Sequence, residues 1–188
     1  MMKIAFLDLD GTLRQTKSGE TFINSPEDQQ PITGAVEAVK YCKSIGYQCI
    51  GITNQGGVGA GNKSLQSVIK EQLITLDLFP ELAYIYFCPD REGKQCWQVH
   101  RGSHPANQID STWADRYIGQ FRKPNAGMIE AAILNYGIRQ LLDLSDSFFT
   151  GDRTEDSEAA AMANLPFFDA ADFRKNYVRL IESLNRQL

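Results

Sequence analysis

Long apolar runs are missing from this chain. None approaches the roughly 18 residues needed to cross a bilayer as a helix. The apolar start reaches only to Leu7 before Asp8 interrupts it, too short for the core of a secretion signal. A basic excess is missing as well. Lys and Arg number 19 against 23 Asp and Glu, giving a net charge of -4 and a pI near 5.2. That balance weighs against broad, sequence-independent nucleic-acid binding, though it leaves room for a local basic groove. Cysteine is scarce: Cys42, Cys49, Cys88 and Cys96 are all there is, and a chain of 188 residues needs no disulfides to fold. Cys42 falls in a helical pattern and Cys49 in a strand pattern, so both read as small buried residues. No polar, biased tract reads as disorder, and no internal repeat is visible. These absences point to a cytoplasmic protein with a single domain over residues 1–188.

What is present alternates. Strand-like apolar runs occupy Lys3–Leu9, Tyr47–Thr53, Leu82–Cys88, Ser147–Gly151 and Leu165–Asp169. Helical spacing covers Thr33–Ile45, Ser64–Leu78, Asn125–Tyr136, Thr154–Asn164 and Asp172–Leu188. Thr12–Phe22 carries KSGE, a hairpin-turn signal, Pro26–Pro31 reads as a loop, and the residues from Pro89 to Phe121 read as one enlarged irregular loop. Strands that are apolar throughout, separated by helices, predict an α/β, Rossmann-like three-layer sandwich: a mainly parallel sheet with helices on both faces and no large cap domain. In such sheets ligands sit at the carboxyl ends of the strands. The residues predicted there are Asp8 and Asp10 after the first strand, Thr53 and Asn54 after the second, and Asp152 after the fourth, with Lys123 opening a helix on the same edge.

Asp is a poor strand residue, yet FLDLDGTL places two of them in one line. Period-two alternation points Asp8 and Asp10 the same way, and like charges that close raise at least one pKa. A divalent cation can neutralise one carboxylate while the other carries a proton. Asp8 would then be a nucleophile beside Mg²⁺ and Asp10 a proton shuttle with a raised pKa. Asp152, in GDRTED, could complete an all-oxygen shell. Thr53 and Asn54 offer polar donors, the glycines that follow leave backbone N–H groups free for an anion, and Lys123 adds a cation. These are the parts of phosphoryl transfer through an aspartyl-phosphate. The glycine-rich GGVGAG does not fit a dinucleotide fingerprint, because Asn62 stands where the third glycine would be.

DLDGTL, then TN, then RKP-x-x-GM, then GD-x-x-x-D, in this order and spread over nearly the whole chain, resembles the haloacid dehalogenase (HAD) superfamily of phosphatases, in its capless branch. The resemblance implies Asp8 as nucleophile and Asp10 as general acid and base, with Thr53 and Lys123 on the phosphoryl group. It implies Mg²⁺ held by Asp8, the Asp10 carbonyl and Asp152, with Asp156 in support. Two relatives are similar in detail. NQGGVGAG resembles the NQSGIARG-type loop of heptose bisphosphate phosphatases and their histidinol-phosphate relatives. That likeness would make Asn54, Gln55, Gly56, Arg122 and Arg153 substrate contacts, although Ala60 replaces the usual arginine. DLDGTLRQTKSGETF resembles the first motif of polynucleotide 3'-phosphatases. The expected substrate is a small phosphorylated metabolite such as a sugar bisphosphate or histidinol phosphate, with a nucleic-acid end as the alternative; a non-catalytic phosphate-binding module is a remote third reading.

Two readings concern the 89–121 loop. Cys88, Cys96, His100 and His104 are zinc-ligand types at an irregular spacing. Trp97, Trp113 and Tyr117 among Arg91, Lys94, Arg101 and Arg116 could line a base-stacking groove. A packed loop anchored by its aromatics is the plain alternative to both.

Overall fold

The computed structural model describes residues 3–109, 117–135, 144 and 146–185. Along the chain the elements are strand β1 (Lys3–Leu7), a small ribbon of β2 (Arg14–Gln15) and β3 (Gln30–Pro31), helix α1 (Ala35–Ser44), β4 (Tyr47–Asn54), α2 (Leu65–Leu78), β5 (Leu82–Cys88), β6 (Trp97–Val99), β7 (Ala106–Gln108), α3 (Gly127–Asn135), β8 (Phe148–Gly151), α4 (Thr154–Met162), β9 (Phe167–Asp169) and α5 (Ala170–Asn185).

Seven strands make one sheet in the order β7-β6-β5-β4-β1-β8-β9. The five long-range neighbours from β5 to β9 run parallel, and β6 and β7 add antiparallel at one side. Alternation along β1 decides the layers. Ile4 and Phe6 pack with α3 and α4, through Met128, Ile129, Ala132, Ala159 and Ala160. Ala5 and Leu7 point the other way, toward Ala38, Val39 and Cys42 of α1, Leu76 of α2 and Phe173 and Ile181 of α5. Both faces are therefore covered, as continuous apolar strands require, and the three-layer α/β expectation holds. Ser64 caps α2 by accepting from Ser67 N at 3.0 Å. All four cysteines are buried and free.

Three expectations change. KSGE does not close a two-stranded hairpin; β2 pairs with β3 across residues 16–29. Asp28 organises that excursion by accepting from Lys17 N, Ser18 N and Ser18 Oγ. Pro26–Pro31 correspondingly contains a strand. The 89–121 segment is not irregular throughout, because its hairpin β6–β7 continues the main sheet beyond β5. Arg101 pins that hairpin to the end of α2 by donating to the carbonyls of Leu76, Phe79 and Leu82. Tyr136, the predicted end of α3, and residues 186–188 at the predicted end of the last helix lie outside the described residues. No helix among the described residues is long and apolar enough to cross a membrane.

Candidate active site

The chain leaves β1 through a turn built on one carbonyl. Leu9 O accepts from Thr12, Leu13 and Arg14 N at 3.3, 2.9 and 2.9 Å, while Asp8 N still donates across the sheet to Thr150 O at 3.0 Å. The turn holds Asp8 and Asp10 at the carboxyl edge of the sheet. It needs Gly11, whose φ of +87° lies in the left-handed region and whose missing Cβ leaves room for the Asp152 carboxylate. Asp8 is almost fully buried. Its Oδ2 accepts from Thr12 Oγ1 at 2.8 Å and its Oδ1 from Lys123 Nζ at 2.6 Å.

Lys123 arrives from a loop clasped to the end of β4: Asn54 accepts from Lys123 N and donates to Lys123 O, both at 3.0 Å. The buried ammonium then donates to Asp8 Oδ1, Asp156 Oδ1 (2.6 Å) and Ile52 O (3.2 Å). Asp156 sits in the first turn of α4, where its Oδ2 also accepts from Arg153 N at 3.1 Å. Gly151, directly before Asp152, lacks the Cβ that would overlap Asp156. Asp8, Asp152 and Asp156 can each offer a carboxylate oxygen within 4.8 Å of the others. Three hard oxygen donors from two strand ends and a helix start suit Mg²⁺. Asp156, expected only in support, belongs to this cluster by position. The Asp10 side chain does not.

Asp10 makes a separate set of contacts. Its Oδ1 accepts from Arg14 Nε at 2.9 Å. Its Oδ2 meets Gln55 Nε2 at 3.1 Å and Thr53 Oγ1 at 3.4 Å. Arg14 is wholly buried. Its remaining nitrogens donate to Gln29 Oε1 (3.0 Å), Thr75 and Glu71 Oε1 (2.6 Å), and Lys63 Nζ closes on Glu71 Oε2 at 2.7 Å. Sequence reasoning missed this network. Its available signal was the run of polar residues Glu71, Gln72 and Thr75 on the face of α2 that packs inward.

Electrostatics separate the two aspartates, in the sense opposite to the expected one. Burial pushes Asp8 up to about 7; the neighbouring charges of Asp156 and Asp10 add to this and Lys123 opposes it. Burial also pulls Asp10 upward, but the Arg14 charge and hydrogen bond, with Lys63 and Lys123, outweigh it and hold Asp10 below the ordinary carboxylate range. A raised Asp10 is therefore corrected. The reason is Arg14, which supplies a buried countercharge that the motif alone does not announce. Asp152 is raised, mainly by burial.

The carboxylates floor a cavity of about 940 Å³. Thr53, Asn54, Gln55, Gly56, Arg122, Lys123 and Arg153 all reach its lining, so every expected substrate contact lies on one surface. Lys63, Arg91 and the 15–24 excursion with Phe22 complete the walls. Arg122 Nη1 is buried without a hydrogen-bond partner, and it lies 3.0 Å from where a Cβ on Gly56 would stand.

Neither reading of the 89–121 segment is assembled. Among the described residues the acidic trio is the one group of thiol, imidazole or carboxylate side chains close enough to share an ion. Cys88 and Cys96 are buried, with burial pushing both thiols up, to about 12 for Cys88, whereas His100 is half-buried against Tyr84 and His104 is exposed. These thiols and imidazoles do not converge. Trp97 stacks on Phe87 at 6.5 Å in the layer with α1, α2 and α5. Tyr117 is buried in the layer with α3 and α4. Aromatics on opposite faces of a sheet cannot form one groove. Trp113 and Arg116 lie outside the described residues.

Such a fold, with a buried acid–lysine–acid constellation at its carboxyl edge, defines a HAD-type phosphatase. Comparison with known proteins agrees. The family model described as "Polynucleotide kinase 3 phosphatase" matches residues 3–177. The D-glycero-D-manno-heptose-1,7-bisphosphate 7-phosphatase of Thermosynechococcus vestitus is 31% identical over 163 residues, 84% of this chain and 73% of that protein. A Mesorhizobium loti protein assigned to the HAD-like phosphatases superposes with a TM-score of 0.68 at 22% identity, covering 97% of this chain and 87% of its own. The D,D-heptose 1,7-bisphosphate phosphatase of B. bronchiseptica, solved with magnesium and phosphate, has a TM-score of 0.59 at 22% identity over 88% of this chain and 79% of its own. The chain belongs to the haloacid dehalogenase superfamily of phosphatases, in the family of the matching model. It is a phosphoric monoester hydrolase.

Proposed function

We propose that the enzyme hydrolyses the phosphate monoester of a small phosphorylated metabolite, a sugar bisphosphate first, through phospho-Asp8, with Mg²⁺ as cofactor. The observation that carries the reading is the placement of Asp8. It is a buried carboxylate with Oδ1 on Lys123 and Oδ2 on Thr12, beside Asp152 and Asp156, at the floor of the cavity. Asp8, Asp152 and Asp156 would hold the ion, and the backbone carbonyl of Asp10 is the further expected ligand. When bound, the cation neutralises negative charge that accumulates between phosphate and carboxylates.

The chain's own residues do the rest. A carboxylate oxygen of Asp8 attacks phosphorus as the bond to the leaving oxygen breaks, and Asp10 gives that oxygen its proton. Asp10, now a carboxylate, takes a proton from water, whose oxygen attacks the same phosphorus and releases inorganic phosphate and free Asp8. The Arg14 contact favours the carboxylate form of Asp10, the form that receives the proton of water in the second half. Thr53 and Lys123 steady the transferring group. Arg122, whose buried Nη1 has no hydrogen-bond partner beside Gly56, and Arg153 would receive polar or anionic groups of the substrate. The curated relative's substrate, a sugar bisphosphate, supports that choice, and the four free thiols suit a cytoplasmic setting. A polynucleotide 3' end is the second reading, favoured by the description of the matching family model.

The test is turnover of p-nitrophenyl phosphate by Asp8→Asn and by the chelated wild type. Both are expected at background, with Mg²⁺ restoring only the wild type; activity persisting in either refutes the mechanism. A panel of heptose bisphosphate, histidinol phosphate and a 3'-phosphorylated oligonucleotide ranks substrates. A large preference for the oligonucleotide overturns the metabolite assignment.

A further inference from the structure

We propose that Arg14 is a positioning residue for the reaction: its guanidinium, locked from behind by Glu71, fixes the orientation of Asp10 so that Oδ2 alone faces the reacting groups. This rests on the reading of Asp10 as the proton-transfer residue.

Arg14 is fully buried and Glu71 is 1% exposed at its side chain. Two charges so enclosed are a poor way to gain stability, since desolvation offsets most of their attraction and apolar packing of the same volume does as well. The geometry suggests what the arginine does instead. Its three nitrogens reach three separate parts of the fold: Nε the catalytic turn at Asp10, Nη1 the 16–29 excursion at Gln29, and Nη2 helix α2 at Glu71. Thr75 also donates to Gln29 Oε1 at 2.7 Å, so the amide oxygen that receives Arg14 is itself held. Lys63 occupies the second oxygen of Glu71, leaving that carboxylate no freedom to swing away. A guanidinium is planar and its donors are fixed in relation to one another. With Nη1 and Nη2 anchored, Nε can point in one direction only, and that direction is Asp10 Oδ1.

Asp10 needs such a holder. Its side chain is 37% exposed, at the edge of the cavity, where a carboxylate free to rotate about χ1 and χ2 would spend little time aligned. With Oδ1 tied to Arg14, Oδ2 is left to Gln55 and Thr53, both on the lining of the cavity that also exposes Asp8. Proton delivery to a leaving oxygen is sensitive to displacements of about 1 Å, which cost on the order of 100-fold.

Leaving-group dependence provides a readout that lost packing alone would not move. Positioned acid assistance matters most for a basic leaving group, so kcat/KM, which reports the step that expels it, is compared for p-nitrophenyl phosphate and an alkyl phosphate. The control Asp10→Asn is expected to lose far more on the alkyl ester. Arg14→Met is expected to show the same bias, about tenfold or more beyond its loss on p-nitrophenyl phosphate. Arg14→Lys is expected to recover part of the difference. Glu71→Gln, close in shape to the native residue, is expected to reproduce the bias more weakly and serves if Arg14→Met fails to fold, as judged by circular dichroism. A bias in Asp10→Asn with uniform losses in the Arg14 and Glu71 variants overturns the inference and leaves the role of Asp10 intact. Uniform losses in all of them remove the acid role of Asp10 and the inference with it.

Discussion

At the scale of single residues, the site is a problem of crowded negative charge solved twice. Lys123 solves it for Asp8 and Asp156, and Arg14 solves it for Asp10. Lys123→Met leaves two buried carboxylates without their shared cation, and losing one partner of a buried pair costs about 3–5 kcal/mol. Its melting temperature is expected to fall steeply. Added Mg²⁺ is expected to recover more of that loss than it adds to the wild type, as read by thermal melts with and without the ion. The pH dependence has a defined sign. Burial pushes Asp8 in the metal-free fold up to about 7, above its unfolded value of roughly 3.9, so the folded state binds that proton more tightly. Its contribution to stability is greatest at low pH and is lost as pH rises from about 4 to about 7. Asp10 is depressed and acts oppositely: its contribution is present above its unfolded value and is lost as pH falls through the depressed one. An ion held by Asp8 would displace that proton, so calorimetric Mg²⁺ affinity is expected to rise with pH through neutrality and level off above it. The shared location of Asp8, Thr53, Lys123 and Asp152 was legible because short local patterns put them at predicted strand ends and at a helix start on the same edge. Arg14 was not, because its burial depends on Glu71, 57 residues away, and a solitary arginine after a strand reads as surface.

At the scale of elements, the same division applies. Core strands and long helices were legible from period and length, to within a residue or two at most ends. The hairpin β6–β7 was not. Three residues per strand, with Gln98 and Asn107 among them, carry no period; those strands exist because β5 offers an edge to pair with and Arg101 fastens them to α2. The catalytic turn makes a further prediction. Gly11→Ala places a side chain in a left-handed conformation and drives it into the Asp152 carboxylate. The strain costs about 1 kcal/mol or more, and the displaced Asp152 is expected to raise the Mg²⁺ concentration needed for half-maximal activity by at least about tenfold. A metal titration of initial rates checks this. Ser64→Ala, which removes the α2 cap, should lower stability by about 1 kcal/mol in chemical denaturation with little change in that titration.

At the scale of the molecule, β1 is the shared wall of two cores. Phe6→Ala empties the layer with α3 and α4, and Leu7→Ala the layer with α1, α2 and α5. Each should cost about 2–5 kcal/mol in urea unfolding, and a single cooperative transition in both variants would show that the layers melt together. The outermost strands, β7 and β9, have three residues each. Among the described residues, the sheet thus ends on either side in a ledge about 10 Å long. A ledge that short presents few open amide and carbonyl groups to a neighbouring molecule, and the exposed Asp169 that closes β9 is a further deterrent. A long open edge is a template on which copies can stack into fibres; tapered in this way, the described sheet offers little such template.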